Sequence, residues 1–297
     1  MNRLAATFAA LRKRGERALM PYFTAGDPSL PGTRQLVMEA ARRGADVIEL
    51  GVPFSDPLAD GSVIQRATQR ALAAGVTLPR ALELVRDMRG DVAVPLVFLT
   101  YYNPVLAFGL KAFCRTAVEA GVDGLIVADL PPEEAGPLRA EARPVGLDLV
   151  HLVAPTSTPE RMRMIAKATG GFLYVVSLTG VTGARTELAR ELLQHLRVLR
   201  GLTTKPICVG FGIGSPEQAG LVGRFADGVI VGSAVVNLVE RYAGSTELLS
   251  QVGEFIAALK APLRAPDPRA PHPCALSPGE RVAHTLPVSP REGEREG

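Results

Sequence analysis

The stretch PICVGFGIGSPEQAGLVGRFADGVIVGS, residues 206–233, contains one complete unit of the fold. Two short apolar runs, Pro206–Val209 and Gly228–Val231, flank a segment with a helical pattern. Both runs are nearly continuous rather than alternating, which is typical of parallel strands buried on both faces. The segment between them begins with the triplet Ser215–Glu217, which places a hydroxyl at the N-cap, proline at the first position and a carboxylate in the first turn. The stretch therefore predicts a strand–helix–strand unit with parallel strands.

The same alternation of apolar runs and helical patterns continues toward the N-terminus. Eight runs are present, and they are Leu19–Thr24, Val47–Leu50, Pro95–Thr100, Gly124–Ala128, Leu147–Val153, Phe172–Val176, Pro206–Val209 and Gly228–Val231. Eight strand–helix units in about 250 residues predict an α/β protein with a single (β/α)8 TIM barrel. A doubly wound sheet is the alternative, although it usually needs only five or six strands. We also expect an extra N-terminal helix before the first strand and additional C-terminal helices, one of them near Thr246–Lys260.

The composition changes near Ala261. Eight of the 24 prolines lie after Lys260, and this part of the chain contains no aromatic residue. Such a segment cannot bury enough apolar area to offset the conformational entropy that ordering would cost. We therefore expect residues 1–260 to form the barrel and residues 261–297 to form a disordered proline-rich tail.

Charge and composition exclude several classes of protein. The 33 basic and 30 acidic side chains give a net charge of +3, which indicates neither a nucleic-acid-binding nor a membrane-binding surface. No run approaches the roughly 18–20 apolar residues of a spanning helix, and the apolar stretch Leu4–Leu11 has no cleavage site after it. Three isolated cysteines and four scattered histidines predict neither a disulfide framework nor a metal site. They favour a reducing, cytoplasmic location.

Glu49 occupies a position where a parallel strand should be apolar. It lies within DVIELG, residues 46–51, near the end of the predicted second strand. Burying an ionised carboxylate costs several kcal/mol unless it is paired or its pKa rises. Catalytic side chains of this barrel lie at the C-terminal ends of the strands. An ion pair with a loop arginine is the structural alternative, but we favour a functional carboxyl.

The following loop, VPFSDPLADG at residues 52–61, carries two more carboxylates. Its two prolines and its glycine are consistent with a long loop that folds over the mouth of the barrel. Asp60 is either a functional group or a turn or helix-cap aspartate, and the spacing does not decide between these interpretations. Asp56 has the same structural interpretation and no independent indication of chemistry.

Two further polar residues lie in or directly after predicted strands. Asp129 ends the fourth strand, and we favour a structural role for it as the cap of a helix predicted over Pro132–Ala142, rather than a role near the chemistry. Tyr174 lies within the sixth strand, where packing with one hydroxyl hydrogen bond is the ordinary interpretation.

Three glycine-rich segments follow the last three strands. They are LTGVTGAR at residues 178–185, GFGIGS at residues 210–215 and the pair Gly232-Ser233. Glycines after the seventh and eighth strands, just before a helix N-terminus, form the usual phosphate site of this barrel, because backbone N–H groups and the helix dipole bind the anion. The GFGIGS segment does not match a dinucleotide fingerprint. We therefore predict a phosphate site.

Taken together, these motifs resemble the tryptophan synthase α subunit family. The resemblance rests on PYFTAGDP (21–28), ELGVPFSDPLADG (49–61), LTYYNP (99–104), VADLP (127–131), GVTG (180–183), GFGI (210–213) and GSA (232–234). It covers roughly residues 3–260, and the proline-rich tail has no counterpart in the family pattern. Ser62 stands where the family commonly has proline.

The resemblance implies a lyase that cleaves indole-3-glycerol phosphate to indole and glyceraldehyde 3-phosphate. It further implies transfer of the indole to a β subunit within an α2β2 heterotetramer. No metal and no cofactor are implied in this chain, because the pyridoxal phosphate belongs to the β subunit. Two alternatives stay open: a free-standing lyase that releases indole, and a catalytically weak phosphate-binding activator of a partner synthase.

The resemblance also implies roles for individual residues. Glu49 would act as general acid and base, Asp60 would accept the indole N–H, and Tyr174 would position the substrate and Glu49. The implied substrate contacts are Tyr22, Phe23, Leu99, Tyr101, Asp129, Thr182 and Phe211. The implied phosphate contacts are Gly183, Gly212, Gly232 and Ser233. Pro53 and Asp56 would couple the loop to the β subunit, and Thr179–Glu187 would close over the substrate.

Overall fold

A closed barrel of eight parallel strands forms the centre of the molecule, and the strands follow one another in chain order. The computed structural model describes residues 2–176, 185–210 and 212–264, and for residues 185–191 it describes the backbone only. The strands are β1 (Ala18–Thr24), β2 (Ile48–Gly51), β3 (Leu96–Thr100), β4 (Gly124–Val127), β5 (Asp148–Val153), β6 (Leu173–Val176), β7 (Ile207–Gly210) and β8 (Gly228–Val231). Because β1 also pairs with β8, the sheet has no edge. The predicted TIM barrel is confirmed and the doubly wound alternative is excluded.

Helices surround the barrel. Within the described residues they are α1 (Arg3–Arg14), α2 (Leu30–Arg43), α3 (Ser62–Ala73), α4 (Leu78–Met88), α5 (Tyr102–Phe108), α6 (Leu110–Ala120), α7 (Gly136–Val145), α8 (Pro159–Ala168), α9 (Arg185–Leu202), α10 (Pro216–Gly223), α11 (Ser233–Tyr242) and α12 (Leu248–Arg264). The start signal at α10 is confirmed, because Ser215 accepts a hydrogen bond from the backbone N–H of Gln218. At the start of α8, Thr158 accepts one from the backbone N–H of Arg161 in the same way.

Alternate side chains of each strand point into the barrel or toward the helices. The inner set includes Met20, Val47 and Val97, and it forms one cluster with Leu4 and Phe8 of α1. The extra N-terminal helix therefore closes the N-terminal end of the barrel. The C-terminal ends of the strands are left as the mouth.

The barrel unit extends slightly beyond its predicted C-terminal boundary. Helix α12 continues past Lys260 to Arg264, even though Pro262 lies inside it. Leu263 is fully buried, and its carbonyl accepts a hydrogen bond from Arg17 N at 2.9 Å. This docking explains why the last turn is helical despite its proline. The rest of the predicted tail, residues 265–297, lies outside the described residues.

Candidate active site

Glu49 lies inside the barrel, on β2. Its Cα is in register with Tyr22 of β1 and with Val97 of β3. Only 2% of the residue is exposed. Across the described ranges its Oε2 has no hydrogen-bond partner, and no described cation pairs with it. The structural alternative, an ion pair with a loop arginine, is thus absent among the described residues.

The environment of Glu49 favours its protonated form. Burial raises the pKa of the Glu49 carboxyl to about 8, and the negative charge of Asp60 adds to the rise. A carboxyl with such a pKa carries its proton at neutral pH and can donate it.

Tyr101 anchors the loop that carries Asp60. It lies directly after β3 and is buried. The rings of Phe54 and Tyr101 have centroids 5.3 Å apart, and Ala59 N donates a hydrogen bond to the Tyr101 hydroxyl at 3.0 Å. One side chain from the neighbouring strand therefore contacts the loop near its beginning and near its end, which holds the loop against the mouth of the barrel.

Asp60 is not the cap of the helix that follows it. The N-cap of α3 is Gly61, and no side chain caps this helix. Asp60 lies in a turn in which its N–H donates to Pro57 O at 3.1 Å, and its carbonyl accepts from Gln65 Nε2 at 2.8 Å. Burial raises the pKa of the Asp60 carboxyl to about 6, and a hydrogen bond with the Tyr101 hydroxyl opposes the rise. Asp60 is therefore mainly a carboxylate at neutral pH.

Two glycines at the mouth make room for tyrosine hydroxyls. A Cβ at Gly51 would lie 1.9 Å from Tyr22 Oη, and a Cβ at Gly210 would lie 2.5 Å from Tyr174 Oη. Burial raises the pKa of both tyrosines, and the charges of Glu49 and Asp60 raise it further. Both phenols are neutral near pH 7 and can donate a hydrogen bond. Tyr174 thus lies beside the carboxyl pair and is more than a packing residue of β6.

Of the two aromatic residues predicted on β1, only Tyr22 lines the interior. It packs with Leu99 and with Val236 of α11. Phe23 lies on the opposite face of the strand, buried between barrel and helices. The prediction that Phe23 contributes to the site is wrong, because neighbouring side chains of a strand point in opposite directions.

Asp129 caps a different helix from the one predicted. Its Oδ1 accepts a hydrogen bond from Tyr102 N at 2.8 Å, and Tyr102 is the first residue of α5. The predicted cap of a helix starting at Pro132 is wrong, because α7 begins only at Gly136. The carboxylate instead links the segments that follow the neighbouring strands β3 and β4, at the mouth of the barrel.

The N-terminus of α11 opens at the mouth directly after β8. Gly232 is its N-cap, and no side chain caps the helix. Gly212, whose φ is +75°, follows β7 at the same end of the barrel. An uncapped helix N-terminus presents backbone N–H groups and a positive dipole end, which suits an anion. Ser233 is the first residue of α11. Three other predicted contacts, Thr182, Gly183 and Phe211, lie outside the described residues.

The outer side of the loop presents a different surface. Pro53 is buried, whereas Asp56 is exposed. Leu58 is 93% exposed, which is unusual for a leucine and was missed by the sequence analysis because the composition of a loop does not reveal which way a side chain points.

The described residues contain no group of three or more His, Cys, Asp or Glu side chains that could hold a metal ion. In the same residues, no helix is both long and apolar enough to cross a membrane.

Comparison with known proteins identifies the family. A sequence model of the tryptophan synthase alpha chain matches residues 8–263. The tryptophan synthase alpha chain of Geobacter sp. (strain M21) is 52% identical over 260 residues, which cover 88% of this chain and 97% of that protein.

Two solved structures are also similar. Tryptophan synthase subunit alpha from Legionella pneumophila str. Paris matches with a TM-score of 0.81 and 40% identity, over 89% of this chain and 98% of that one. Tryptophan synthase from M. tuberculosis in its aminoacrylate-bound form matches with a TM-score of 0.80 and 34% identity, over 89% of this chain and 100% of that one. Similarity at this level shows that the chain belongs to the tryptophan synthase alpha chain family.

Proposed function

We propose that Glu49 and Asp60 divide the chemistry of the family's reaction between them, Glu49 moving the proton and Asp60 holding the charge. The single observation that supports this most strongly is the different protonation state of the two carboxyls near pH 7. Burial raises the pKa of Glu49 to about 8 and that of Asp60 to about 6, so at pH 7 one is mainly an acid and the other mainly a carboxylate. Two carboxyls whose pKa values are pushed apart are suited to different roles.

The reaction itself follows from the family. The chain cleaves indole-3-glycerol phosphate to indole and glyceraldehyde 3-phosphate, and the indole passes to the β subunit of an α2β2 complex. The α chain uses no cofactor, because the pyridoxal phosphate belongs to the β subunit.

Cleavage starts with a proton transfer to the indole ring. Protonated Glu49 donates to indole C3, which leaves Glu49 as a carboxylate and places positive charge on the ring N–H. Asp60 stabilises that charge as the acceptor of the N–H hydrogen bond. The Glu49 carboxylate then removes the proton from the glycerol hydroxyl next to C3. The bond between C3 and the glycerol carbon breaks, its electron pair returns to the ring, and Glu49 ends protonated as it began.

The remaining residues bind and orient the substrate. The indole is surrounded by Tyr22, Leu99, Tyr101 and Phe211. The hydroxyl of Tyr174 donates a hydrogen bond to Glu49 or to the substrate. Gly183, Gly212, Gly232 and Ser233 bind the phosphate, which the uncapped N-terminus of α11 supports. Thr182 is a substrate contact in this proposal, whereas Asp129 contributes indirectly by fixing the start of α5.

The outer side of the Pro53–Asp60 loop contacts the β subunit in this proposal. Exposed Asp56 and Leu58 lie on the same loop as Asp60, so a partner that binds them also acts on the catalytic carboxylate. Asp56→Ala should preserve the activity of the isolated chain and reduce its stimulation by the β subunit. We further propose that the enzyme works in the cytoplasm and that residues 1–264, which include all of α12, suffice for catalysis.

The decisive experiment replaces Glu49 by glutamine, which keeps the shape and removes proton transfer. Glu49→Gln should lower kcat for indole-3-glycerol phosphate cleavage by at least about 10²-fold. Binding of glycerol 3-phosphate should be unchanged, since that ligand reports the phosphate site. Asp60→Asn should lower kcat more than it raises KM, because charge on the indole nitrogen develops only toward the transition state. Substantial turnover by Glu49→Gln would refute the assignment.

A further inference from the structure

Four charged side chains form a continuous bridge between α3, α11 and the loop after β1. Arg70 of α3 donates two hydrogen bonds to Asp27, at 2.8 and 2.9 Å, and a third to Glu240 of α11 at 2.7 Å. Arg66, one turn earlier on α3, donates two hydrogen bonds to Glu240, at 3.0 and 2.8 Å. We call Asp27, Arg66, Arg70 and Glu240 the charge bridge.

The two helices that the bridge joins begin at the two halves of the proposed site. Helix α3 starts at Ser62, two residues after Asp60. Helix α11 starts at Ser233, where the phosphate is proposed to bind. The substrate carries its indole and its phosphate on one molecule. Its fit therefore depends on the distance between the ends of α3 and α11.

Apolar packing between the two helices is one of the contacts that set this distance. Between the helices lie Ala67 and Val236, with Tyr22 of β1 beneath them. Val63 and Ile64 of α3 also pack against this cluster, and such apolar contacts are non-directional. The charge bridge adds direction, because a carboxylate held by two guanidinium groups accepts hydrogen bonds only in a narrow range of geometries.

Within the bridge, Glu240 is the partly exposed acid. Its side chain is 33% exposed, and that of Arg66 is 47% exposed. Isolated exposed ion pairs contribute about 0–1 kcal/mol, and a bidentate network such as this one contributes more. The Asp27–Arg70 pair differs, because the Asp27 side chain is only 3% exposed and losing its partner would leave a buried charge. Substitution of Glu240 therefore tests geometry without leaving the buried charge of Asp27 unpaired, because Arg70 still donates to Asp27.

We propose that Glu240 is a positioning residue for the cleavage reaction. Through Arg66 and Arg70 it holds α11 against α3, and it thereby fixes the N-terminal end of α11 relative to the loop that carries Asp60. This inference rests on the proposed roles of Asp60 and of the α11 N-terminus. Misplacement of reacting groups by about 1 Å lowers turnover by roughly 10²-fold while leaving each half of a site able to bind its own fragment.

The test is Glu240→Gln in the full-length chain, assayed within the α2β2 complex. We expect kcat for indole-3-glycerol phosphate cleavage to fall by about tenfold or more. The Kd values of glycerol 3-phosphate and of indole, each of which probes one half of the site, should stay within twofold. Removing a negative charge does not weaken anion binding electrostatically, so a higher Kd for glycerol 3-phosphate is not expected.

Asp91→Asn is the matched control. Asp91 forms an exposed ion pair with Arg34 at 2.5 Å, and it lies before β3, at the closed end of the barrel. This variant should match the wild type in kcat, which would show that loss of an exposed ion pair does not by itself lower turnover. A rescue experiment completes the set: Glu240→Asp keeps the charge and should recover part of the lost kcat.

Unchanged kcat in Glu240→Gln would overturn the proposal, and so would a loss confined to KM and the Kd of glycerol 3-phosphate. If Glu240→Gln does not fold, Arg66→Gln decides, because it leaves both Arg70 contacts intact and should lower kcat in the same way but less. Refutation of the positioning role of Glu240 can be told apart from refutation of the proposed roles of Glu49 and Asp60. An inactive Glu49→Gln together with a fully active Glu240→Gln would refute only the positioning role.

Discussion

The hydroxyl of Tyr22 occupies the space that a side chain at Gly51 would need, because a Cβ at Gly51 would lie 1.9 Å from Tyr22 Oη. The two residues lie at the ends of neighbouring strands, and Glu49, in register with Tyr22, lies two positions before Gly51. The absence of a side chain at residue 51 thus determines where the Tyr22 ring stands beside the Glu49 carboxyl.

Gly51→Ala should therefore displace Tyr22. We expect a loss of about 1–3 kcal/mol in the free energy of unfolding, which is typical of overpacking, and a lower kcat/KM. Urea unfolding and steady-state cleavage assays would measure both. Gly136→Ala is a suitable control, since nothing lies within 4 Å of a Cβ there. The variant Tyr22→Leu/Gly51→Ala should be more stable than Gly51→Ala alone, and equal stability of the two would contradict the steric explanation.

The pH profile of kcat/KM should be bell-shaped. The proposed mechanism requires ionised Asp60, whose pKa is about 6, and protonated Glu49, whose pKa is about 8, so activity should fall below pH 6 and above pH 8. The tyrosines facing this pair, Tyr22, Tyr101 and Tyr174, have raised pKa values and stay neutral across this range. In Asp60→Asn the alkaline limb should move to lower pH, because the Asp60 charge helps to raise the pKa of Glu49. An alkaline limb that stays in place would disprove this coupling.

Tyr101→Phe removes one hydroxyl and keeps the ring that packs on Phe54. Two effects are expected from the loss of that hydroxyl. The acid limb of the pH profile should shift upward, since the hydrogen bond with Tyr101 lowers the pKa of Asp60. Ala59 N also loses its acceptor, so the loop should exchange its amide hydrogens faster. Hydrogen exchange of residues 52–61 would show this, and unchanged protection would mean that the ring alone holds the loop.

How far the sequence predicts this molecule depends on the distance over which each contact acts. The strands were predictable because burial on both faces leaves a local apolar signature. For the same reason β1 did not reveal that Tyr22 faces inward and Phe23 outward, since neither position is polar. The sequence left open whether Asp60 caps α3, and the structure places the N-cap at Gly61, which has no side chain to reveal it.

The residues of the site also differ in whether a local sequence signal reveals them. Glu49 was predictable because a lone acid is conspicuous within an apolar strand. The support of the Asp60 loop by Tyr101 was not, because that contact joins residues 42 positions apart and has no local pattern. The helix that Asp129 caps was predicted wrongly because the true partner, Tyr102, lies 27 positions earlier in the chain.

Glu49 should also cost the protein stability at alkaline pH. Its pKa is about 8 in the folded chain and near 4.5 as an ordinary glutamate. The folded state therefore binds this proton more tightly, and the associated stability is fully present below about pH 4.5 and is lost as the pH rises through 8. Glu49→Gln should gain in relative stability over the wild type as the pH increases from 5.5 to 8.5, as measured by urea unfolding. A difference independent of pH would show that Glu49 is not buried as a neutral acid.

The position of the C-terminal boundary can be tested with two truncated chains. A chain that ends at Arg264 should keep the unfolding free energy and the cleavage rate of the full-length protein, because residues 265–297 offer little apolar area to bury. A chain that ends at Lys260 loses fully buried Leu263 and the carbonyl that accepts from Arg17 N, so it should be less stable by at least about 2 kcal/mol. Leu263→Ala in the full-length chain separates the side chain from the rest of the segment and should reproduce much of that loss. Equal stability of the two truncated chains would show that the last turn of α12 contributes nothing, whereas a loss already present in the chain ending at Arg264 would show that the proline-rich segment binds the barrel.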